Sequence, residues 1–161
     1  MNRSTVVFLL LAMLAAPRVD AQSAAGARPA GCTYETCALR VEPSFFFPAK
    51  LLRGRAGEQV GSLGGFGGGV DTLLAGPDSA AVYGHRYVTD MRRSGTLGLL
   101  GAAAYVVVLL RTDNFRDADD TSVAIGLTGA ALAIASIPFT LRAQRNLSRA
   151  IWHYNAALAT R

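Results

Sequence analysis

The sequence contains few of the residues from which metal centres and nucleophilic active sites are built. Its 161 residues include two cysteines and two histidines, and His85 and His153 lie far apart along the chain. No nucleophile has a base nearby in the sequence, and no spacing of His, Cys, Asp and Glu matches a set of metal ligands. We therefore expect a protein that is not an enzyme and has no metal and no cofactor, and we identify no small-molecule substrate.

Glycine is abundant, but its pattern does not match a phosphate-binding loop. The dinucleotide fingerprint needs G-x-G-x-x-G between a strand and a helix, whereas Gly65-Phe66-Gly67 is followed by Val70 in place of the last glycine. No Gly-Lys-Ser or Gly-Lys-Thr triplet occurs in the chain. Runs of glycine are typical of flexible linkers, so this segment predicts a hinge.

Charged residues are missing from two long stretches. Residues 94–110 and 121–141 comprise 17 and 21 residues without Asp, Glu, Lys or Arg. As helices they would cover roughly 25 and 32 Å, close to the ~30 Å hydrocarbon core of a bilayer. The alternative, a buried hairpin in a soluble helical domain, needs more covering chain than the sequence provides. We predict transmembrane helices at 94–111 and 121–141, joined by a loop at 112–120 that makes them antiparallel.

Small residues recur every four positions inside both predicted spans. Such columns allow two helix backbones to approach closely in lipid. Asp119 or Asp120 is expected to cap the second helix, and Pro138 to bend it. We predict that the two helices meet along Ser94, Gly98 and Ala102 in the first span and along Ser122, Gly126 and Ala130 in the second.

The N-terminus has the three parts of a secretory signal peptide. Residues 1–21 contain Arg3, an apolar run and a small-residue cleavage site that ends at Ala21. The apolar run is too short to span a bilayer, and an uncleaved short anchor is the alternative. In an exported chain, Cys32 and Cys37 are expected to form a disulfide, because a metal site would need two more ligands. Two free thiols are the other possibility.

The remaining segments predict short strands followed by amphipathic helices. Prolines and glycines interrupt the apolar runs of residues 22–70, which we interpret as an exported irregular segment with short strands and the Gly-rich hinge. Its Phe triplet at 45–47 is expected to pack on the helices or to enter the membrane interface. Residues 71–93 predict an amphipathic helix. The fold class is therefore mainly α, a membrane helical hairpin with extended amphipathic helices, preceded by a small irregular segment with short β-strands.

The last twenty residues, 142–161, predict a basic amphipathic tail helix. Arginines occupy one side of the helical wheel and an apolar stripe the opposite side. The arginines are expected to meet lipid phosphates, with the aromatic residues at the level of the headgroups. In the alternative, the apolar stripe docks on another protein. The expected interfacial residues are Arg142, Arg145, Arg149, Trp152 and Tyr154.

The signal peptide and the charge pattern disagree on topology. Two spans place Arg92-Arg93 and the tail on one side, and the acidic loop between the spans on the other. The positive-inside rule would put the basic flanks in the cytoplasm, whereas a cleaved signal peptide would put them outside. We favour the export signal because all three of its parts are present. The N-terminal segment is then expected in the periplasm, with the chain integral to the inner membrane.

This order of segments resembles a loose group of small bacterial envelope proteins with no assigned activity. The resemblance depends on Ser136-Ile137-Pro138, Ala150-Ile151 and Tyr154-Asn155, which end the second span and the tail. It implies architecture and an envelope location, and no chemistry.

Our hypothesis for function is a non-enzymatic accessory or scaffold subunit of the envelope. Its partners would be membrane lipids and another envelope protein or a second copy of itself. The alternative is a lipid-binding or membrane-remodelling protein that acts through its basic amphipathic tail helix. Nucleic acid is not an expected partner, because the arginines lie at the predicted membrane edges and not on a groove-reading element.

Overall fold

The computed structural model describes residues 31–44, 48–74, 78–112 and 119–160. The predicted signal peptide, the residues up to 30 and the Phe triplet at 45–47 lie outside these ranges. A mainly helical fold, with a small antiparallel sheet ahead of two long apolar helices, is confirmed. In chain order the elements are helix α1 (Tyr34–Cys37), strands β1 (Leu39–Glu42), β2 (Ala49–Arg53) and β3 (Glu58–Leu63), helix α2 (Val70–Leu73), and the long helices α3 (Asp78–Arg111) and α4 (Asp120–Ala159).

The sheet is antiparallel with the strand order β1-β2-β3. Leu39 pairs with Arg53 across β1 and β2, and the register between β2 and β3 shifts by one residue between Leu51 and Leu52. Pro43 follows the last residue of β1, and Pro48 precedes the first residue of β2. Because proline has no N–H to donate to a neighbouring strand, both prolines limit the strands to a few residues.

The Gly-rich segment differs from the predicted flexible hinge. Gly67, Gly68 and Gly69 have φ angles of 92°, 52° and 73°, which glycine adopts readily and other residues do not. A Cβ atom on Gly68 would overlap the carbonyl oxygen of Ser62, and one on Gly67 would lie 3.0 Å from the Cα atom of Val88. The glycines therefore serve a tight turn that packs directly against α3.

Both long helices run through the boundaries that the sequence predicted. α3 unites the predicted amphipathic helix with the first span, and α4 unites the second span with the tail helix. α4 continues without a break through Pro138, which is exposed. The predicted cap at Asp119 is confirmed, since its Oδ1 accepts the backbone N–H of Ser122 at 3.1 Å. The side chain and the backbone N–H of Ser122 hold the pKa of the Asp119 carboxyl below its usual value.

Contacts divide the described chain into two compact units. The apolar unit consists of residues 97–112 and 119–135, the adjoining parts of α3 and α4. The sheet unit consists of the described residues from 31 to 96 and from 136 to 160. The main hydrophobic core belongs to the sheet unit and is formed by Cys37, Leu39, Leu51, Val70, Leu74, Ala80, Tyr87, Val88, Ala143, Leu147, Ala150, Tyr154 and Leu158.

Candidate functional site

The surface of the apolar unit is lined with exposed apolar side chains. In the most apolar 18-residue stretch of each long helix, only 17% of the α3 stretch and 6% of the α4 stretch is buried. A core helix of a soluble domain would be mostly buried, whereas exposed apolar patches of this extent mark membrane or protein contacts. Both helices are long and apolar enough to cross a membrane. The large exposed side chains here are Leu99, Leu100, Tyr105, Val107, Leu110, Val123, Leu127 and Ile134.

The two helices of the apolar unit approach closely at Gly101 and Gly129. A Cβ atom on Gly101 would lie 2.8 Å from the carbonyl oxygen of Gly129, and one on Gly129 would lie 2.9 Å from the carbonyl oxygen of Gly101. At these distances the backbones themselves are in contact, and only glycine fits at both positions. This close pair replaces the predicted contact at Gly98 and Gly126.

The predicted columns of small residues lie largely off this contact. A Cβ atom on Gly98 would have nothing within 4 Å, and one on Gly126 would meet only Val108, at 3.7 Å. Ala102 and Ala130 are exposed. The reason is geometric, since four residues advance about 400° around a helix and each step rotates roughly 40° away from the starting face. Ser94 and Ser122, which begin the two columns, are buried.

In each long helix, one series of buried residues repeats every seven positions, whereas the sequence analysis predicted a four-residue repeat. Seven residues drift by only ~20°, which is why this spacing is found where two helices pack along their length. The signal is present in the sequence as small residues at seven-residue intervals in α4, and less completely in α3. The buried series are Ala80, Tyr87, Ser94, Gly101 and Val108 in α3, and Ser122, Gly129, Ala143 and Ala150 in α4, with Ser136 half-buried between Gly129 and Ala143. Gly84, Val88, Leu147, Tyr154 and Leu158 are buried outside these series.

Polar side chains join the two long helices within the sheet unit. The hydroxyl of Ser94 lies 2.6 Å from that of Thr140 and donates to the carbonyl oxygen of Ser136 at 3.2 Å. The side-chain N–H of Asn146 donates to Oδ2 of Asp90 at 3.0 Å. These pairs become visible only once the antiparallel register is known, so no spacing within either helix could have predicted them.

The tail part of α4 packs its apolar stripe inside the sheet unit. Leu147, Tyr154 and Leu158 are each at most 5% exposed and belong to the core. Tyr154 therefore differs from the predicted interfacial aromatic residue, because its ring faces the protein interior. The stripe is already covered, so it is not free to dock on another protein. Arg142, Arg145, Arg149 and Trp152 remain exposed, as an interfacial position requires.

Asn155 fixes the end of α4 to the edge of the sheet. Its side-chain oxygen accepts the backbone N–H of Leu39 at 2.8 Å, and its side-chain N–H donates to the carbonyl oxygen of the same residue at 2.9 Å. The amide thus forms the same pair of hydrogen bonds that a neighbouring strand would form with β1. It closes this position of an edge strand that would otherwise be open to pairing.

Cys32 and Cys37 form a disulfide in the structure, with their Cα atoms 5.7 Å apart. The bond closes a loop around α1, and the side chains of Thr33 and Thr36 cap that helix. Gly54 packs on the same turn, since its N–H donates to the carbonyl oxygen of Ala38 at 2.8 Å. Across the residues that the structure describes, no group of three or more His, Cys, Asp or Glu side chains could hold a metal ion.

Five residues of α3 and α4 form what we call the basic–aromatic cluster, namely Tyr83, Arg86, Arg149, Trp152 and His153. The rings of Tyr83 and His153 stack with centroids 5.3 Å apart and planes at 6°. The guanidinium carbons of Arg86 and Arg149 lie 5.6 and 5.7 Å from the centroid of the Tyr83 ring. Trp152 meets His153 edge-on at 4.8 Å and is 65% exposed. The sequence predicted Arg149 and Trp152 as interfacial residues, but not their contacts with residues of α3.

Neither guanidinium group of the basic–aromatic cluster forms an ion pair within the described ranges. The Asp90 carboxylate lies one turn from Arg86 and accepts a hydrogen bond from the neutral side chain of Asn146. Residues 142–161 contain four arginines and no acidic residue. The cluster therefore presents two unpaired guanidinium groups beside an exposed indole.

Compared with known protein families, with curated proteins and with solved structures, the chain shows no significant match. The functional interpretation therefore depends on two surfaces of the molecule. One is the exposed apolar surface of the apolar unit, and the other is the basic–aromatic cluster of the sheet unit.

Proposed function

We propose that this chain is an integral membrane protein of the bacterial cell envelope, anchored by α3 and α4 as a helical hairpin. The observation that carries the proposal is the exposure of the apolar unit. Eight large apolar side chains on its surface are about half exposed. At about 1 kcal/mol gained for each on transfer out of water, lipid would stabilise them by on the order of 8 kcal/mol.

Charged residues at both ends of the charge-free stretches support a transmembrane position. Arg92, Arg93 and Arg142 are exposed at one end, and Arg111 and Asp120 at the other. Charges at the ends of apolar helices remain in the aqueous or headgroup region when the helices cross a bilayer. Between these residues neither helix contains a charged side chain that would have to be buried in hydrocarbon.

The role we propose is that of a non-enzymatic accessory or scaffold subunit. What supports it is the structural use of three links in the sheet unit, one of them covalent and two of them formed by side-chain amides. The disulfide closes the turn around α1, Asn155 joins α4 to β1, and Asn146 joins α4 to α3. The proposed partner is another envelope protein or a second copy of this chain. Purification in a gentle detergent should give a co-purifying protein or a defined oligomer, and a clean monomer would count against the role.

The membrane-remodelling alternative receives less support from the tail of α4. A remodelling helix inserts its apolar stripe between lipids, whereas Leu147 and Leu158 pack in the core of the sheet unit. Purified protein added to preformed anionic liposomes is accordingly expected to leave them untubulated. Tubulation by the wild type that high salt abolishes would favour the alternative.

Membrane integration and topology are tested in cells with two experiments. The chain should stay in the membrane pellet after alkaline carbonate extraction, because a hairpin is held by lipid and not by surface charge. A C-terminal alkaline phosphatase fusion should be active, as the proposed periplasmic N-terminal segment and the two spans require. Release by carbonate would exclude the hairpin. A fluorescent but phosphatase-silent fusion would reverse the proposed orientation and leave the hairpin intact.

A further inference from the structure

We propose that the basic–aromatic cluster binds the phosphate of an anionic phospholipid headgroup. The inference rests on the proposed function, because it requires that a lipid surface lies beside the sheet unit. It goes beyond the expectation for the tail helix, since two of the five residues of the site come from α3. Arg86 and Tyr83 are contributed by α3, and Arg149, Trp152 and His153 by α4.

Two positively charged side chains, Arg86 and Arg149, lie beside the ring of Tyr83. Two guanidinium carbons lie within 5.7 Å of one ring centroid, and neither group forms an ion pair within the described chain. Two like charges at one aromatic ring repel each other, and an anion bound beside them reduces that repulsion. A phosphate is the anion that a planar guanidinium fork fits best, because it accepts two parallel hydrogen bonds from each arginine.

The two arginines of the cluster lie about two helical turns from the charge-free stretches. Arg86 lies seven residues before Arg93, and Arg149 lies seven residues after Arg142, which corresponds to about 10 Å along each helix. The headgroup region of one leaflet extends roughly 5–8 Å beyond the hydrocarbon core. An arginine side chain that leaves the Tyr83 ring and turns toward the membrane spans the remaining few ångströms. Both guanidinium groups can therefore reach the level of lipid phosphates.

The indole of Trp152 is exposed beside the two arginines. A side chain of this size that is 65% exposed to water is costly in a soluble surface, whereas tryptophan is enriched where membrane meets water. Its neighbour His153 is held by stacking on Tyr83, so the indole is attached to the same cluster that holds the two arginines. This favours a lipid headgroup over a free phosphate ion, which would gain nothing from the indole.

The site contains its own reporter, because Trp152 is the single tryptophan of the chain. The full-length protein in neutral detergent is titrated with phosphatidylglycerol or phosphatidylcholine in mixed micelles, and tryptophan emission is followed against lipid mole fraction. We expect a blue shift at a much lower mole fraction of phosphatidylglycerol. One arginine near an anionic lipid surface contributes about a fivefold factor, so Arg86→Gln with Arg149→Gln should weaken this preference about 30-fold.

The matched control is Arg55→Gln, which removes one exposed positive charge from the turn between β2 and β3. It should leave the preference for phosphatidylglycerol within about twofold of wild type. If the double variant unfolds, the single variants Arg86→Gln and Arg149→Gln take its place, each with an expected loss of about fivefold. Both arginines are exposed, so the single changes should not disturb the core.

Two outcomes would overturn the inference. In the first, the single variants Arg86→Gln and Arg149→Gln lose no more preference than the Arg55→Gln control, which would mean that only net charge matters. In the second, inorganic phosphate at constant ionic strength shifts the emission as strongly as phosphatidylglycerol, which would mean that the site takes a free anion. Carbonate extraction of the same variants separates this failure from that of the proposed function, since a chain that resists extraction but has no lipid preference loses only the headgroup site.

Discussion

Alanine at Gly101 tests the helix contact of the apolar unit more sharply than any other single change. A methyl group there would lie 2.8 Å from the carbonyl oxygen of Gly129 and 3.3 Å from the backbone nitrogen of Ala133. Both atoms belong to the backbone of α4, so no side-chain rotation relieves the contact and the helices must separate. Overpacking of this kind typically costs 1–3 kcal/mol.

The same substitution at Gly98 provides the control. A methyl group at Gly98 would have nothing within 4 Å, so only the intrinsic helix preference of alanine acts there. That preference stabilises a helix by up to ~1 kcal/mol and is common to both sites. Gly101→Ala should therefore be less stable than Gly98→Ala by about 1–3 kcal/mol, whatever the detergent contributes to helix propensity.

The assay is unfolding of the purified variants in detergent, followed by far-ultraviolet circular dichroism against temperature or denaturing detergent. Gly129→Ala should behave like Gly101→Ala, because its methyl group would lie 2.9 Å from the carbonyl oxygen of Gly101. Gly126→Ala should behave like Gly98→Ala, since its nearest contact is an ordinary 3.7 Å to Val108. If Gly98→Ala and Gly126→Ala prove the more destabilised pair, the contact follows the four-residue columns and the reasoning from the structure is refuted.

Three further predictions concern the Asp119 cap, the hydrogen bonds of Asn155 to β1 and the disulfide. Asp119→Ala should lower the melting temperature at neutral pH, whereas Asp119→Asn should preserve the cap. Because the pKa of Asp119 is lowered in the folded protein, wild type should lose stability as the pH falls below the ordinary value of 3.8 toward the folded pKa, and Asp119→Asn should lack this loss; equal acid profiles for the two would contradict the cap. Asn155→Ala removes the hydrogen bonds from the Asn155 amide to the backbone N–H and carbonyl oxygen of Leu39, and should lower the free energy of unfolding by about 2 kcal/mol in denaturant. The exposed Gln144→Ala should lower it by less than about 0.5 kcal/mol. Equal losses would show that the two hydrogen bonds of Asn155 contribute nothing. Reduction of the Cys32–Cys37 bond reopens a loop with a sequence separation of 5 and should destabilise the sheet unit by about 2 kcal/mol; identical melting curves with and without reductant would contradict this.

Composition alone predicted the coarse fold of this chain. Stretches 94–110 and 121–141 contain no charge, and this was enough to predict two long apolar helices. Prolines at 43 and 48 were enough to predict that the strands ahead of the two long helices are short. Both features are local, since helix formation and strand termination depend on residues that are near one another in the sequence.

The finer errors concern contacts between segments that are distant in the sequence. Four-residue columns are typical of two helices in lipid, but the buried series through Gly101 in α3 and Gly129 in α4 repeats every seven residues. The Gly-rich segment predicts a flexible hinge, because its own residues do not reveal that Val88 packs against Gly67. The basic–aromatic cluster needs Arg86 and Arg149 together, and 63 positions separate them in the chain. Only the antiparallel register of α3 and α4 brings such residues to one place.

The most direct test of the account measures whether the exposed apolar surface faces lipid. Leu127 and Ile134 are each 67% exposed, and they lie near the middle of the second charge-free stretch. Leu127→Cys and Ile134→Cys are labelled with a nitroxide in lipid bilayers, and collision rates with oxygen and with a water-soluble nickel complex are compared by electron paramagnetic resonance. Ala159→Cys, exposed at the far end of α4, is the aqueous control. High oxygen and low nickel collision rates are expected at positions 127 and 134, with the reverse at 159. Nickel accessibility at 127 and 134 equal to that at 159 would show that this surface faces water, and the membrane hairpin would be wrong.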